Sequence, residues 1–332
     1  MVKSIKCFSL LREKGGIIMD KSMMKYIAKR LLISLVTLFV IILVLFLMLK
    51  LMPGTPFNDE KLSEAQKAVI MAKYGLDKPV MTQFVTYFKN MCTGDFGVSY
   101  VIQKDMPISQ LVGTASIISF KLGIAATILG ALIGMLLGIV AALNKNTWLD
   151  SLATVISVLG VSIPSFVFAL LLLYFLGAKL HLFPTAFSTS NQIVSSVMPV
   201  IALAMSVIAN VARFTRTEMI SVLGSDYMIL AEAKGLDRKT LIMKHALRNS
   251  LIPVITIVGP IMVNIMTGTM VVEKIFGIPG LGKLLISSIQ QNDYNVTLAC
   301  SFLYAFLYIV IVLIIDVSYG IIDPRIRLGK DE

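Results

Sequence analysis

The chain has 332 residues, of which 57% are hydrophobic and 15% are charged, and its mean hydropathy is +0.85. A soluble domain typically carries about 45–50% apolar and about 25% charged residues, and a single core stops growing near about 250–300 residues. The composition therefore excludes a soluble enzyme and predicts an integral membrane protein.

Positive charge is concentrated beside apolar stretches. The formal net charge is +11, eight of the 30 Lys and Arg lie in residues 1–30, and seven more lie between Arg213 and Arg248. Such blocks of cations are typical of the loops that set membrane topology. The sequence therefore favours a bilayer, and no nucleic acid, as the partner of these charges.

Six stretches contain the roughly 20 apolar residues that a membrane-spanning helix needs. They are residues 31–52, 122–143, 151–178, 195–216, 251–272 and 297–320. The positive-inside rule places both termini in the cytoplasm. The predicted organisation is a basic cytoplasmic N-terminus (1–30), the first span (31–52), an external segment (53–110), a five-helix core (111–320) that includes the cytoplasmic segment 217–250, and a cytoplasmic tail (321–332).

The first apolar run differs from a signal peptide. Its sequence, LLISLVTLFVIILVLFLML, is longer than the about 7–15 residues of a signal core, and no A-x-A cleavage site follows it. We expect it to be retained as the first span. Met19, Met23 and Met24 are alternative starts, which leaves open whether the first 18 to 23 residues are an upstream extension.

The external segment has helical signals of its own. Ser63-Glu64-Ala65-Gln66 is a capping box, Gly75 suits a helix stop, and Pro79 suits a first helical position. Apolar residues then recur at helical spacing, namely Val80, Phe84, Tyr87, Phe88 and Met91. We predict two short amphipathic helices on the outer face rather than a floppy linker.

The second and third spans carry packing signals. Small residues recur every four positions in the second span, at Ala126, Gly130, Gly134 and Gly138. Such a stripe lets helix backbones approach closely, so we interpret it as a packing face within a bundle. The third span contains Pro164, which predicts a kink or a tilt.

The cytoplasmic segment 217–250 predicts two helices separated by a glycine. Ser225-Asp226 caps the first helix, Gly235 supplies its stop, and Asp237 caps a second helix that runs to about Asn249. A solvated loop is one interpretation. We favour a docking surface for a cytoplasmic partner, because a helix–glycine–helix elbow is stiffer than a mere connection needs to be.

Residues 277–283 read GIPGLGK and match the letters of a phosphate-binding loop. Such a loop requires Ser or Thr at the next position to hold Mg²⁺, and this chain has Leu284 there. The segment also follows a predicted span rather than a strand. We therefore predict a turn at the outer mouth and no nucleotide site.

The cysteine, histidine and acidic residues of the sequence form no recognisable catalytic or metal-binding pattern. Cys7, Cys92 and Cys300 lie far apart, and His181 and His245 lie in no recognisable motif. Asp316, near the inner end of the last span, is the candidate for an intramembrane ionisable group. An aspartate there is more typical of snorkelling or pairing with a loop cation than of a proton relay.

Four uncharged polar residues lie in the predicted spans: Asn210, Asn264, Thr267 and Thr269. They either line a pathway or join helices, and the sequence leaves both alternatives open. A proton-driven transporter would carry more intramembrane acids, which disfavours that class.

Five stretches carry a resemblance to a known family. They are YGLDKPVMTQFVTYFKNMCTGDFGVSY (74–100), IPSFVFALLLLYFLGAKLHLFPTAF (163–187), AEAKGLDRKTLIMKHALRNSLIPVITIVG (231–259), VVEKIFGIPGLGKLL (271–285) and DPRIR (323–327). Together they resemble the inner-membrane permease subunit of an ATP-binding-cassette (ABC) importer. The branch is the oligopeptide/dipeptide/nickel family, and the similarity is to the first (B-type) of its two permease subunits.

The resemblance implies an all-α integral membrane protein with six transmembrane helices and the type I ABC importer permease fold. It implies no catalysis by this chain and no bound cofactor, because partner subunits would use the ATP and Mg²⁺. The implied partners are a second homologous permease subunit, two ABC ATPase subunits, an extracytoplasmic solute-binding protein and a peptide substrate. The implied location is the cytoplasmic membrane of a bacterium.

In the segment 217–250 the resemblance implies coupling to the ATPase. The implied residues are Ala231, Glu232, Ala233, Lys234, Gly235, Leu236 and Asp237. Importer permeases generally share a pattern EAA-x3-G-x9-I-x-LP in this loop. With its glycine at Gly235, the first three positions are Ile229, Leu230 and Ala231, so Glu232 is not the glutamate of the motif.

The implied mechanism is alternating access, in which closure of the ATPase pair moves the elbows. Within the family, nickel, haem and signalling peptides are alternatives to short peptides as cargo. Outside it, the alternatives are a solitary secondary transporter and a membrane-embedded enzyme.

Overall fold

The computed structural model describes residues 21–51, 64–73 and 75–322. The predicted tail (321–332) lies almost wholly outside these ranges, as do most of the N-terminus (1–30) and the capping residue Ser63. Within the described ranges the chain is helical, with one isolated β-bridge between Val98 and Pro107.

The described helices are numbered here in chain order. They are α1 (Lys21–Leu51), α2 (Glu64–Lys73), α3 (Val80–Cys92), α4 (Ile108–Leu143), α5 (Trp148–Ser162), α6 (Ser165–Leu172), α7 (Gln192–Leu223), α8 (Asp226–Ala233), α9 (Arg238–Thr240), α10 (Leu247–Ile275), α11 (Leu281–Gln290) and α12 (Tyr294–Ile322). Two π-helical segments, Leu173–Lys179 and Leu241–Ala246, follow α6 and α9. We name the ends of the bundle by the predicted topology: the outer end carries α2, α3 and α11, and the inner end carries α8 and α9.

The predicted spans correspond to four unbroken helices and two bent pairs. By length and apolar composition, the unbroken candidates are Ile27–Leu51, Ile108–Leu143, Gln192–Leu223 and Tyr294–Ile315. The pair Trp148–Ser162 and Ser165–Lys179 is bent by 104°, and the pair Arg238–Leu251 and Pro253–Met262 is bent by 42°. Counting each bent pair as one span gives six.

The kink predicted at Pro164 is confirmed and is a full break. Ile163 adopts an extended conformation, with φ −85° and ψ 118°. A proline disfavours helical backbone at the residue before it, which explains why α5 ends there. Pro164 then takes the N-cap position of α6.

Helix α4 packs along α7 through the predicted small-residue stripe. A methyl group on Gly130 would lie 2.5 Å from Cβ of Val207, and one on Gly138 would lie 2.5 Å from the carbonyl oxygen of Ala212. Only glycine fits at such distances, so the two backbones approach closely. The interpretation of this stripe as a packing face is confirmed.

The two external helices predicted between the first two spans are present. Helix α3 packs against α1 and the start of α12, where Phe84 and Met91 are buried and the rings of Phe46 and Phe84 lie 5.4 Å apart. Val80 was predicted on the same stripe but is 43% exposed, so the buried face begins one turn later. Pro79 is the N-cap rather than the first helical residue.

The second cytoplasmic helix does not end near Asn249 as predicted. It continues from α9 through the π-helical segment Leu241–Ala246 directly into α10. No helix stop lies between them, and Pro253 bends the helix instead of ending it. The elbow is therefore continuous with a membrane-spanning helix.

Candidate functional site

The elbow at the inner end, residues 226–240, is a helix–glycine–helix unit. At the end of α8, the Gly235 N–H donates to the Glu232 carbonyl at 2.9 Å, and the Leu236 N–H donates to the Ala231 carbonyl at 3.4 Å. These bonds satisfy carbonyls that a helix end leaves without partners. Gly235 has φ +80°, in the left-handed region. The predicted helix stop is confirmed.

Glycine is required at this turn by backbone conformation rather than by lack of space. No described atom lies within 4 Å of a methyl group built on Gly235. A residue with a Cβ is destabilised by about 1–2 kcal/mol in the left-handed region. A side chain at this position would therefore disturb the elbow through backbone strain rather than through a clash, and a residue that tolerates the left-handed region would impose less strain.

The caps of the two elbow helices differ from each other. The Asp237 carboxylate accepts a hydrogen bond from the Thr240 N–H at 3.1 Å, and hydrogen bonding from Thr240 lowers the pKa of Asp237. This predicted cap is confirmed. Ser225 occupies the N-cap position of α8, but its hydroxyl donates to the Val222 carbonyl at 2.5 Å and makes no capping bond. The predicted side-chain cap at Ser225 is wrong, because the preceding helix takes that hydroxyl.

One side of the elbow rests on an apolar cluster that we call the inner cluster. Its buried members are Ala142, Met219, Met228, Leu241 and Ala246, from α4, α7, α8 and the segment after α9. The half-buried Ala231 packs against it. A displacement of the elbow must therefore move the inner ends of α4 and α7 or open this cluster.

The other side of the elbow is an exposed apolar face. Ile229 is 60% exposed and Leu230 is 57% exposed, and Leu236 continues the face beyond Gly235. Of the seven residues implied in coupling, Ala231 is half-buried and the other six are exposed: Glu232, Ala233, Lys234, Gly235, Leu236 and Asp237. Several exposed apolar residues in a short segment outside the spans are typical of a surface that a partner covers.

An ion pair between a buried carboxylate and a half-buried arginine joins α5 to α7 near the inner end. Arg216 on α7 donates through Nε at 2.5 Å and through a terminal nitrogen at 2.8 Å to the two carboxylate oxygens of Asp150 on α5. The Asn146 N–H adds a third bond to Asp150 at 3.0 Å. Such two-point pairing fixes geometry as well as charge. Asp150 and Arg216 are 66 residues apart in the sequence, so no local sequence pattern predicts this ion pair.

The four polar residues that we considered for the pathway lie in different surroundings. Asn210 is half-buried and donates to the Ser206 carbonyl at 2.7 Å, whereas Asn264 is exposed on α10. Thr269 is buried beside a cavity of about 20 Å³, and the side chain of Thr267, like that of Asp316, lies outside the described residues. Burial favours the helix-joining alternative for Thr269, and exposure favours the pathway alternative for Asn264.

Glu273 at the outer end is fully buried, and the sequence analysis missed it because it follows the predicted span by one residue. Its carboxylate accepts from the Ser119 hydroxyl at 2.5 Å and from the N–H groups of Gly282 and Lys283 at 2.8 and 3.1 Å. The Leu281 N–H donates to the Ser119 oxygen at 2.8 Å. Glu273 thus supplies the negative charge that the start of α11 favours.

The GIPGLGK segment is the turn that brings Glu273 to α11. Gly277 has φ +69°, and a methyl group on Gly280 would lie 2.5 Å from a carboxylate oxygen of Glu273. The predicted turn is confirmed, and its glycines allow the close approach of a carboxylate rather than of a phosphate. An acid placed shortly before a glycine-rich turn is the signal that would have identified the contact.

Asp293 is a second fully buried acid that the sequence analysis missed. It accepts from the Ser99 hydroxyl at 2.6 Å and from three consecutive backbone N–H groups at 3.1, 2.9 and 3.1 Å, those of Tyr100, Val101 and Ile102. The external loop is therefore wrapped around this carboxylate, between α11 and α12. Within the described ranges, no group of three or more His, Cys, Asp or Glu side chains is placed to hold a metal ion.

Comparison with known proteins connects this architecture to transport. Residues 134–328 match the family model described as binding-protein-dependent transport system inner membrane component, and residues 23–106 match the model for the N-terminal part of such components. The dipeptide transport system permease protein DppB of Lactococcus lactis is 44% identical over 92% of this chain and 100% of its own length. The oligopeptide transport system permease protein OppB of Escherichia coli K12 is 40% identical over 92% of this chain and 100% of its own length.

A solved structure supports the fold. A chain from a crystal structure described as an amino acid ABC transporter with histidines superposes with a TM-score of 0.52 at 16% identity, covering 63% of this chain and 93% of that chain. The chain is thus a membrane permease subunit and not itself an enzyme, and it belongs to the family of binding-protein-dependent transport system inner membrane components.

Proposed function

We propose that this chain forms half of the translocation pathway for short peptides in an ATP-driven importer. The observation that supports this proposal most strongly is the elbow. It has one exposed apolar face and one face packed on the ends of α4 and α7. Peptides are favoured as cargo because the relatives that align over their full length are named dipeptide and oligopeptide permeases.

The proposed assembly contains partners on both sides of the membrane. A second, related permease would enclose the pathway with this chain, two ABC ATPase subunits would dock on the elbows, and an extracytoplasmic solute-binding protein would deliver the peptide. The gathering of cations in segments 1–30 and 217–250 supports an orientation with both termini inside. The relatives from Lactococcus lactis and Escherichia coli support a bacterial cytoplasmic membrane.

The elbow is proposed to transmit force between the ATPase and the bundle. Contact would be made by the exposed residues Ile229 and Leu230 together with the segment from Ala231 to Asp237. Because the segment after the elbow continues into α10, a rotation of the elbow would be passed to that helix without an intervening hinge loop. Asn210, Asn264, Thr267 and Thr269 remain our candidates for residues along the pathway.

ATP supplies the bias between the two states of the pathway. It would bind between the partner subunits with Mg²⁺, and this chain would hold no cofactor. To drive a two-state equilibrium from one extreme to the other, the closed ATPase pair must favour the outward-facing bundle by about 5.5 kcal/mol. The ATPase pair would act on this chain through the exposed elbow face, and the inner cluster would connect the elbow to the bundle.

Purification in a mild detergent from native membranes tests the assembly. We expect the tagged chain to bring down a second six-span permease and two ATPases, and the recovered complex, once in liposomes with its binding protein, to accumulate short peptides only when ATP is inside. Uptake of nickel or haem instead of peptides would correct the cargo. Recovery of the folded chain alone, with uptake that ignores ATP, would replace the importer by a solitary secondary transporter.

A further inference from the structure

A cavity of about 420 Å³ lies at the outer end between α1, α3 and the start of α12. Its wall includes one cation from the last turn of α1, Lys50, and five aromatic side chains: Phe46, Tyr87, Phe96, Tyr100 and Tyr294. The cavity is separate from the elbow and from the contacts of Glu273. None of the residues that we consider for coupling or for the pathway lines it.

Lys50 is held in place by the aromatic wall. Its ammonium nitrogen lies 5.6 Å from the centre of the Phe46 ring and 5.7 Å from the centre of the Tyr294 ring. Contacts of this kind orient a cation while leaving its N–H donors available to an anion. The half-buried side chain thus presents a fixed positive charge at the cavity wall.

The depth of Lys50 in the membrane follows from the length of α1. Arg30 and Lys50 enclose an apolar run and are 20 residues apart, which is roughly 30 Å along a helix. That distance equals the thickness of the hydrocarbon core, so the two cations lie at opposite headgroup levels. On the membrane side of Lys50, α1 exposes apolar side chains at the depth where acyl chains would run: Val44, Leu47 and Met48.

The other charged residues at the wall leave an excess of positive charge. Lys73 and Lys78 line the cavity together with one acid, Asp95, and Lys73 is paired with Asp105 at 3.1 Å. Tyr87 also lines the cavity, and its buried hydroxyl has no hydrogen-bond partner among the described residues. The cavity therefore offers cations and aromatic rings at the depth where lipid phosphates lie.

We propose that this cavity binds the headgroup of a phospholipid from the outer leaflet, with its phosphate at Lys50 and its acyl chains along the exposed face of α1. The bound lipid would bridge α1, α3 and α12 and so steady the external helices against the bundle. This site does not depend on the cargo or on the partners proposed above.

Lipid binding to the full chain, purified with the subunits that remain attached to it, tests the site. After delipidation, a phosphatidylglycerol of short acyl chains is titrated and bound copies are counted by native mass spectrometry. Lys50→Gln should weaken one site by about ten-fold, the loss of one charge-assisted contact, and Lys50→Arg should retain it. Lys89→Gln removes an exposed charge from α3 outside the cavity and should change nothing.

A second variant and two competitors make the result decisive. Asn90→Trp fills the cavity without altering Lys50 and should also weaken the site. Equal binding by wild type, Lys50→Gln and Asn90→Trp would overturn the proposal. It would also be overturned if inorganic phosphate or a short peptide displaced the lipid at concentrations similar to its own, because the site would then recognise a free anion or the carboxylate of the cargo. If Lys50→Gln does not fold, the Asn90→Trp and competition results decide.

Discussion

The two ends of the bundle are held together in different ways. At the outer end, two fully buried carboxylates, Glu273 and Asp293, each gather hydroxyl and backbone N–H donors from segments distant in sequence. At the inner end, the buried Asp150 pairs with one arginine, and the elbow exposes an apolar face. The two buried acids of the outer end are therefore satisfied by donors within this chain, whereas the elbow leaves apolar side chains exposed.

This difference follows from what a buried charge requires. A carboxylate removed from water is tolerated only when several donors surround it, and those donors must then stay in place. Such an arrangement resists movement. An exposed apolar face has no such internal requirement, and its free energy falls only when a partner covers it. The proposed coupling residues therefore lie where apolar exposure, rather than a buried acid, distinguishes the surface.

The largest expected effect comes from removing the charge at Asp293. In Asp293→Asn, the surrounding hydroxyl and N–H donors lose the ionised carboxylate that accepted their hydrogen bonds, and the new amide N–H₂ is itself a donor. We therefore expect the free energy of unfolding to fall by about 3–5 kcal/mol. Thermal unfolding of the purified protein measures it. Asp95→Asn is the matched control, because Asp95 is exposed and accepts from the Gly97 N–H within the same loop. Equal melting temperatures for both variants would show that the outer end does not depend on this carboxylate.

The glycine stripe between α4 and α7 runs between the two ends of the bundle. A substitution in it should have the second-largest effect on stability. Gly138→Ala places a methyl group 2.5 Å from the Ala212 carbonyl oxygen, so the helices must separate at a cost of about 1–3 kcal/mol. Gly113→Ala, in the same helix with no described atom within 4 Å, should instead stabilise it by up to about 1 kcal/mol. If Gly138→Ala melts at or above the wild-type temperature, the close backbone contact is not required.

How far the sequence predicts this structure differs between local and distant contacts. The spans, the glycine stripe, the break at Pro164, the stop at Gly235 and the cap at Asp237 follow from nearest neighbours or from short periodicity. Glu273 and Asp293 bind donors 154 and 194 residues away, Ser119 and Ser99, and no short-range pattern encodes such distances. The elbow could therefore be predicted from the sequence, whereas the contacts of the buried acids at the outer end could be identified only from the three-dimensional structure.

The Gly235 turn should affect transport more than stability. Gly235→Val imposes backbone strain of about 1–2 kcal/mol in the left-handed region, which the exposed elbow can relieve by changing its own shape. We therefore expect a nearly unchanged melting temperature but ATP hydrolysis uncoupled from peptide uptake in the reconstituted complex. Gly235→Asn is the control, because asparagine tolerates this conformation and should preserve coupling. Coupling that is lost equally in both variants would point to side-chain bulk at the ATPase contact instead of to the turn.

The smallest expected effect is a pH dependence at the start of α9. Because the pKa of Asp237 is lowered in the folded elbow by hydrogen bonding from Thr240, its ionised form stabilises the cap. This stabilisation is fully present above the ordinary carboxyl pKa of about 4 and is lost as the pH falls through the lowered value. Hydrogen exchange of the α9 amides, corrected for the intrinsic rate at each pH, measures it. In Asp237→Asn the amide oxygen still caps the helix but carries no charge, so its protection should not vary with pH. The two proteins should differ at neutral pH and converge as the pH falls below the ordinary carboxyl pKa. A difference that does not shrink on acidification would mean that the charge of Asp237 does not hold the elbow.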